Sequence, residues 1–409
     1  MTWNGKNWNN ATTAVRGGQS ADTAYGSIAA PIYQTANFRF DEPGKTRGYD
    51  YTRSGNPTRN ALEEVLAELE AGAGAVACGT GMGAITTALA HFDGGDHLIC
   101  SHDCYGGTAR LLRLYAAQGK LDVSFVDTGD PDAVAAAIRP ATRCLWIETP
   151  SNPLLRITDI AALAAITAGR EILFVVDNTF LSPLLQKPLT LGADLVVHST
   201  TKYLNGHSDV VGGAIVARDA ELAARFAWLA NALGTTAPPF DSWLTLRGIK
   251  TVDLRIRAHE RNAGAVARFL YAHPRSSKVF YPGLPSHDGH ALAARQQSGF
   301  GGMVSFAFDG TPEELHTFLS STRLFTLAES LGGVESLIEH PATMSHASMD
   351  PDLRRDAGIT DAIVRLSVGV EAIDDLIEDL ENAFALCGSG EKTIERKRAV
   401  ASALVTEEG

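Results

Sequence analysis

A lysine closes an apolar β-type run in "DLVVHSTTKYLNGHSD", residues 194 to 209: Lys202 follows Leu195, Val196 and Val197 and is flanked by Ser199, Thr200, Thr201 and Tyr203. An amine so close to the end of a buried strand is costly unless its charge is paired or the amine is in use. The plainer account is a lysine snorkelling from the strand end; the sharper one is a desolvated amine suited to forming a Schiff base. Ser199 and Thr201 share a face if the segment is extended, and together offer two hydroxyls to one phosphate. Upstream, "AVAC" leads into Gly79-Thr80-Gly81-Met82-Gly83 and then helical spacing. Such a glycine turn frees backbone N–H groups and a helix start to hold an anion. The same letters fit a plain tight turn, or the loose G-x-G-x-x-A dinucleotide pattern with Asp96 or Asp103 on a ribose. "ILFVV" ends in Asp177-Asn178-Thr179, where the carboxylate either caps the next segment or faces the cationic nitrogen of a bound heterocycle. "LWIE" runs into "TPSNP", which places Asn152 at a strand end as a turn residue or a ligand contact. Ligands of open parallel sheets sit at the carboxyl ends of the strands. One cofactor accounts for the whole set: pyridoxal 5'-phosphate (PLP), with its phosphate in the glycine turn, its ring nitrogen on Asp177 and its aldehyde on Lys202.

These residues need a scaffold, and the spacing supplies one. Short apolar runs ("GAVACG", "DHLICSH", "LDVSFVD", "TRCLWIET", "EILFVVDNT", "ADLVVHS", "VGGAIVA") alternate with helical patterns ("AITTALAHF", "TARLLRLYAAQ", "PDAVAAAIRP", "DIAALAAITAG"). The runs are continuous in Val, Ile and Leu, as strands covered on both faces are. The alternation predicts an α/β domain over residues 61–255 with a mostly parallel sheet flanked by helices. Residues 1–60, rich in Gly, Asn, Pro and Thr, read as an extended N-terminal arm that reaches a neighbouring subunit. From 256 to 390 the pattern becomes a long helix, a few β-runs ("KVFYPG", "GMVSFAFDG", "AIVRLSVGV") and a last amphipathic helix, a smaller α+β C-terminal domain. Residues 391–409 read as a polar tail.

Composition narrows the partners. The 409 residues carry a formal net charge of -12, which argues against nucleic acid or an anionic membrane surface and for a small-molecule substrate. The five cysteines lack a framework spacing and read as reduced thiols. No apolar stretch of membrane-spanning length occurs and the opening residues lack a secretory pattern, so a cytoplasmic protein is expected. Cys100-x-His102-x-Cys104 could place soft ligands on one side of a strand end, but no fourth ligand is suggested, and no metal site is expected.

"VVDNTF" and "HSTTKYLNGHSD", together with "YTRSGNPTRN", "DCYGGTARL", "ETPSNPLL" and "FTLAESLGGVESLIEHPATMSHASM", closely resemble the Cys/Met-metabolism family of PLP enzymes, fold type I. The resemblance runs in order from about residue 12 to 387. It implies that Lys202 holds the cofactor and shuttles protons, and that Asp177 keeps the pyridine nitrogen protonated. Tyr105 would stack on the ring and help deprotonate the incoming amine. The amides of Gly81 and Met82, with Ser199 and Thr201, would bind the phosphate, and Tyr51 and Arg53 would reach the phosphate of the neighbouring subunit. Arg365 would clamp the substrate α-carboxylate; Asn152, Glu329 and Ser330 would line the substrate pocket, and Arg110 would lie near the distal end of the substrate. The implied activity is a γ-replacement that joins cysteine to an O-acyl-L-homoserine, the succinyl ester foremost, with γ-elimination as the rival. The implied assembly is a homotetramer built as a dimer of dimers. Taken alone, Arg365 and Arg110 read as salt-bridge or helix-face charges, and Tyr105 as a core aromatic.

Overall fold

The computed structural model describes residues 2–3, 6–19, 22, 24–347, 349 and 351–387; the tail expected over 391–409 lies outside them. The arm is not wholly extended: a helix, α1 (Asn10–Arg16), starts where the Asn9 side chain accepts the amide of Ala11. Helix α2 (Pro57–Glu70) begins earlier than its apolar spacing suggests, because Asn56 caps it by accepting from Thr58 N–H and Pro57 takes the first position, where a missing N–H costs nothing.

The alternation then unfolds as β1 (Gly74–Cys78), α3 (Gly81–Leu89), β2 (His97–Ser101), α4 (Gly106–Ala117), β3 (Asp122–Val126), α5 (Pro131–Ala137), β4 (Thr142–Glu148), α6 (Ile160–Thr167), β5 (Leu173–Asp177), β6 (Leu195–His198) and β7 (Gly213–Ala217). The seven strands form one sheet in the order β1-β7-β6-β5-β4-β2-β3. Only β7 runs against its neighbours, which are β1 and β6. The other pairings are parallel, which is why these strands read as continuous apolar runs. One face buries Val76, Cys100, Trp146, Val175 and Val197 against Ile85, Leu89, Leu112 and Phe226, the last on helix α7 (Ala220–Leu233). Full burial of such side chains stabilises the fold by about 1.5–3 kcal/mol each.

The smaller sheet has the order β8-β9-β12-β11-β10, from β8 (Ser276–Phe280), β9 (Met303–Phe308), β10 (Thr326–Leu327), β11 (Leu337–Glu339) and β12 (Ile363–Ser367). Its core joins Val304, Phe306, Val364 and Leu366 to Phe318, Leu376, Leu380 and Phe384 on two helices, Pro312–Ser321 and Ile373–Leu386. The chain is thus an α/β protein with a large, mostly parallel sheet and a second, smaller one. By contacts it divides into two compact units: the first holds the residues up to Ser151, Ile157–Ile256 and Gln296–Ser298, and the second holds Asn152–Arg156, Arg257–Arg295 and the residues from Gly299 on. No helix among the described residues is long and apolar enough to cross a membrane.

Candidate active site

In the first unit, chemistry-bearing residues gather at the carboxyl ends of β1, β2, β4, β5 and β6. Helix α3 starts at Gly81 itself, earlier than glycine's poor helix propensity suggests. The Thr80 hydroxyl accepts the Gly83 amide at 2.7 Å and fixes the first turn. The amides of Gly81 and Met82, as first-turn donors, have no acceptor within the helix. Gly81 backs directly onto Ser199: a Cβ there would lie 3.0 Å from Ser199 Cβ and 3.2 Å from its Oγ. Two backbone donors, a serine hydroxyl and the positive end of a helix therefore face one small space, the donor set a phosphate monoester needs.

The segment after β6 departs from expectation. It is not extended: β6 ends at His198, residues 200–205 form a turn, and Lys202 N–H donates to Ser199 O at 3.3 Å. Strand alternation therefore does not align Ser199 with Thr201. The Thr201 hydroxyl instead exchanges bonds with Gly212, accepting from its N–H at 3.0 Å and donating to its carbonyl at 3.2 Å. Lys202 is half-buried. His207 and Asp209 fix the loop, the first on Asn205 O and the second on Asn205 Nδ2.

Asp177 ends β5 and is 7% exposed. Thr179 donates to it twice, from Oγ1 at 2.6 Å and from N at 3.0 Å, and both bonds fall on Oδ1. Oδ2 is left to accept a further donor. Burial pushes the carboxyl above the usual carboxylate range, with the Thr179 bonds opposing. A cationic N–H at Oδ2 would reverse that shift, which is what a protonated pyridine nitrogen offers. Thr179 also ties the neighbouring strand end, its Oγ1 accepting from Ser199 N–H at 2.9 Å.

Tyr105 stands at the N-cap of α4 and is 41% exposed, so it is not a core aromatic. It lies against Gly107 and Met82: a Cβ on Gly107 would run into the Tyr105 ring and come within 2.7 Å of Met82 Sδ, so only glycine fits. Arg110 is exposed on the same helix. On the arm, Tyr51 and Arg53 are exposed, with the guanidinium 5.8 Å from the Tyr51 ring centroid and donating to Asn231 O. PLP fits this group of residues: an anion cradle, a buried carboxylate with a vacant oxygen, an open aromatic ring and a lysine on adjoining segments.

Other sequence readings give way. Asp96 and Asp103 are engaged locally, Asp96 Oδ2 with Asp93 N–H and Asp103 Oδ1 with the Ser101 hydroxyl, so neither stands as a ribose ligand. The alternation assumed for Cys100, His102 and Cys104 fails because β2 ends at Ser101. Cys104 turns back onto Cys100, and that contact, then burial, pushes its thiol well up.

In the second unit, Arg365 on β12 is buried and held through both terminal nitrogens. Its Nη1 donates to Asn152 Oδ1 at 2.9 Å, and its Nη2 to Ser330 O at 2.8 Å and Glu339 Oε2 at 2.7 Å. Glu339 is its register partner on β11 and takes the Ser345 hydroxyl on its other oxygen. Ser330 is held at φ 96°, a left-handed conformation that favours glycine, which aims its carbonyl at the guanidinium. Glu329 beside it is exposed.

Sequence reasoning passes over Glu339, Glu148 and the pair His198–Glu70. His198 Nε2 and Glu70 Oε1 lie 2.6 Å apart, both buried, and Asn178 donates to the same carboxyl oxygen at 2.9 Å. Glu339 carried a signal, since a Glu within an apolar run needs a partner; the others become visible only through pairings distant in sequence.

A family model, Cys/Met metabolism PLP-dependent enzyme, matches residues 11–385. The chain is 49% identical over 381 residues to the cystathionine gamma-synthase of Escherichia coli (strain K12), covering 93% of this chain and 99% of that one. It is 48% identical over 374 residues to a cystathionine beta-lyase of Lactococcus lactis, covering 91% and 98%; a cystathionine gamma-lyase of Bacillus subtilis is 46% identical over a similar span. A crystal structure of cystathionine gamma synthase from Xanthomonas oryzae pv. oryzae, in complex with aminoacrylate and cysteine, superposes with a TM-score of 0.92 at 53% identity, covering 93% of this chain and 99% of that chain.

Proposed function

Since the chain belongs to the Cys/Met metabolism PLP-dependent enzymes, we propose that it catalyses the γ-replacement of an O-acyl-L-homoserine by L-cysteine. With the succinyl ester, the bond from Cγ to the ester oxygen breaks, a bond from cysteine sulfur to Cγ forms, and L-cystathionine and succinate are released. The observation that carries this reading is end-to-end likeness to a cystathionine gamma-synthase, 99% of whose length the chain covers. Bound PLP supplies an electron sink that brings carbanions beside an amino group within reach near neutral pH.

The chain's own residues then have these roles. The Gly81 and Met82 amides and the Ser199 hydroxyl hold the phosphate, with Thr201 bracing the loop through Gly212. Asp177 Oδ2 keeps a proton on the ring nitrogen. Lys202 Nζ would hold the coenzyme at its aldehyde and, when free, would take the proton from substrate Cα and return it. The Tyr105 ring would cover one face of the coenzyme, and its oxygen, as phenolate, would take a proton from the incoming ammonium group and become the phenol. Arg365 takes the α-carboxylate with a planar fork already oriented by Asn152, Ser330 and Glu339. Glu329 and Arg110 meet the distal part of the substrate.

In this proposal residues 1–60 are the arm, 61–255 the PLP-binding domain and 256–390 the C-terminal domain of a cytoplasmic homotetramer. Tyr51 and Arg53 complete the phosphate site of the neighbouring subunit. Exposed Tyr25, Ile28, Phe40 and Tyr51 on the arm are apolar surface that a partner would cover. Light scattering should then give the mass of a tetramer.

The elimination reading keeps a specific support, since lyases stand among relatives of similar identity. Product analysis decides. The proposal expects cystathionine from O-succinylhomoserine plus cysteine as the fastest reaction. Faster release of 2-oxobutanoate from cystathionine would make the protein a γ-lyase, and faster release of pyruvate a β-lyase.

A further inference from the structure

Glu148 is the last residue of β4, 6% exposed, and no role proposed above uses it. In the parallel register it stands directly beside Asp177 on β5, so the two carboxyls project to the same side of the sheet. Its Oε2 accepts the backbone N–H of Tyr105 at 2.7 Å. Tyr105 is the N-cap of α4 and has no side-chain cap bond, so this long-range contact is the tether for the start of that helix. On the other side the ring is bounded by Gly107 and Met82. Burial and the charge of Asp177 keep the Glu148 carboxyl well above the ordinary carboxylate range, with Cys104 and Asp103 adding to the push. The Tyr105 amide bond opposes that push, since it favours the charged form.

We propose that Glu148 is a positioning residue for the coenzyme: it pins the backbone of Tyr105 beside the strand that carries Asp177, and so sets the distance and tilt at which the Tyr105 ring covers the PLP ring. The inference rests on the reading that Tyr105 covers that ring. Glu148→Asp draws the acceptor back by one methylene, Glu148→Ala removes it, and Glu148→Gln keeps a carbonyl in its place.

Hydrogen exchange at the Tyr105 amide in the cofactor-free protein reads the tether without the coenzyme. Exchange should speed up by about 10-fold in Glu148→Ala, and by less in Glu148→Asp, with Glu148→Gln close to wild type. The visible circular dichroism of bound PLP reads the ring geometry and should weaken in Ala and Asp and return in Gln. Tyr105→Ala separates the two ideas. If it leaves the dichroic band unchanged, Tyr105 does not cover the ring and the proposal falls with that reading. If it alters the band while the Asp variant, and Ala where it folds, change neither exchange nor dichroism, Glu148 has no positioning role.

Discussion

Asp177→Asn isolates the charge at the centre of the proposed chemistry. The variant keeps the outline of the side chain and an oxygen for the two Thr179 donors, which reach Oδ1 at 2.6 and 3.0 Å. It removes the negative charge that Oδ2 presents to the ring nitrogen. An opposite charge within about 4–6 Å moves a pKa by roughly 1–3 units, and each unit is about 1.4 kcal/mol. The protonated fraction of the coenzyme, and kcat/KM with it, should therefore fall about 10- to 1,000-fold. The assay is kcat/KM for O-succinylhomoserine and cysteine at saturating PLP, with PLP content measured on the same sample. The cofactor-free protein should respond in the opposite direction. Its Asp177 carboxyl has a raised pKa, so the stability it allows is full below the ordinary carboxylate range and is lost as pH rises through the folded value. Asparagine does not titrate, so cofactor-free Asp177→Asn should lose less stability than wild type between about pH 5 and 8 in urea unfolding. A fully loaded variant within about twofold of wild-type kcat/KM would refute the assignment of Asp177 to the ring nitrogen.

Lys202→Ala should give a folded protein, by far-ultraviolet dichroism, that lacks the visible absorption of lysine-bound PLP; persistence of that band would place the attachment elsewhere. Arg365→Lys keeps the charge but not the fork that reaches Asn152, Ser330 and Glu339 together. Charge-assisted bonds of about 1.5–3 kcal/mol imply a KM higher by roughly 10- to 150-fold, and an unchanged KM would remove Arg365 from the carboxylate site. Gly107→Ala forces a methyl against the Tyr105 ring and Met82, so it should cost about 1–3 kcal/mol in urea unfolding; a neutral result would mean the ring moves aside freely. All five cysteines are buried and the Cys78 thiol is pushed up to about 12, so the native protein should resist a thiol reagent near neutral pH that labels the urea-unfolded chain within minutes.

The large sheet was legible because strands covered on both faces must be apolar throughout, and "ILFVV" and "DLVV" announce that without any partner in view. Lys202, Asp177 and the glycine turn were legible for a related reason: in such a sheet, polar residues just past an apolar run sit where ligands bind. Long-range pairing was not. The importance of Glu148 depends on a register with β5 and on an amide of another loop, and "LWIETP" contains neither. The start of α3 was misplaced because Gly81 argues against a helix on propensity, while the local Thr80 cap on Gly83 overrides it. The turn after His198 was hidden because a contact distant in sequence shapes it: Thr201 is drawn to Gly212, eleven residues on. The two-residue β10 escaped notice because it is too short to show a period, and it is a strand only beside β11.

Two buried ionisable centres, Arg365 and Asp177, are treated in opposite ways, and the difference bears on what each can recognise. Arg365 comes with its own counter-ion, Glu339 at 2.7 Å, together with two neutral acceptors. A carboxylate arriving there meets a centre already close to neutral, so it is selected by the direction of the fork's N–H groups more than by net charge. Asp177 comes with hydroxyl and amide donors on one oxygen and a second carboxyl, Glu148, on the adjacent strand. Two carboxyls side by side in a poorly hydrated site cannot both ionise at low cost, so one keeps its proton. Burial pushes both carboxyls up, and Glu148 already serves as an acceptor for the Tyr105 amide. Charge on Asp177, whose Oδ1 is taken by the two Thr179 donors, is stable only opposite a cation. His198 lies close enough to favour the charged form of Asp177, and the pyridinium of the family's coenzyme would meet the requirement more fully. On this reasoning the carboxyl ends of these strands are organised around a positive charge that the coenzyme brings, and PLP binding should draw the Asp177 carboxyl down.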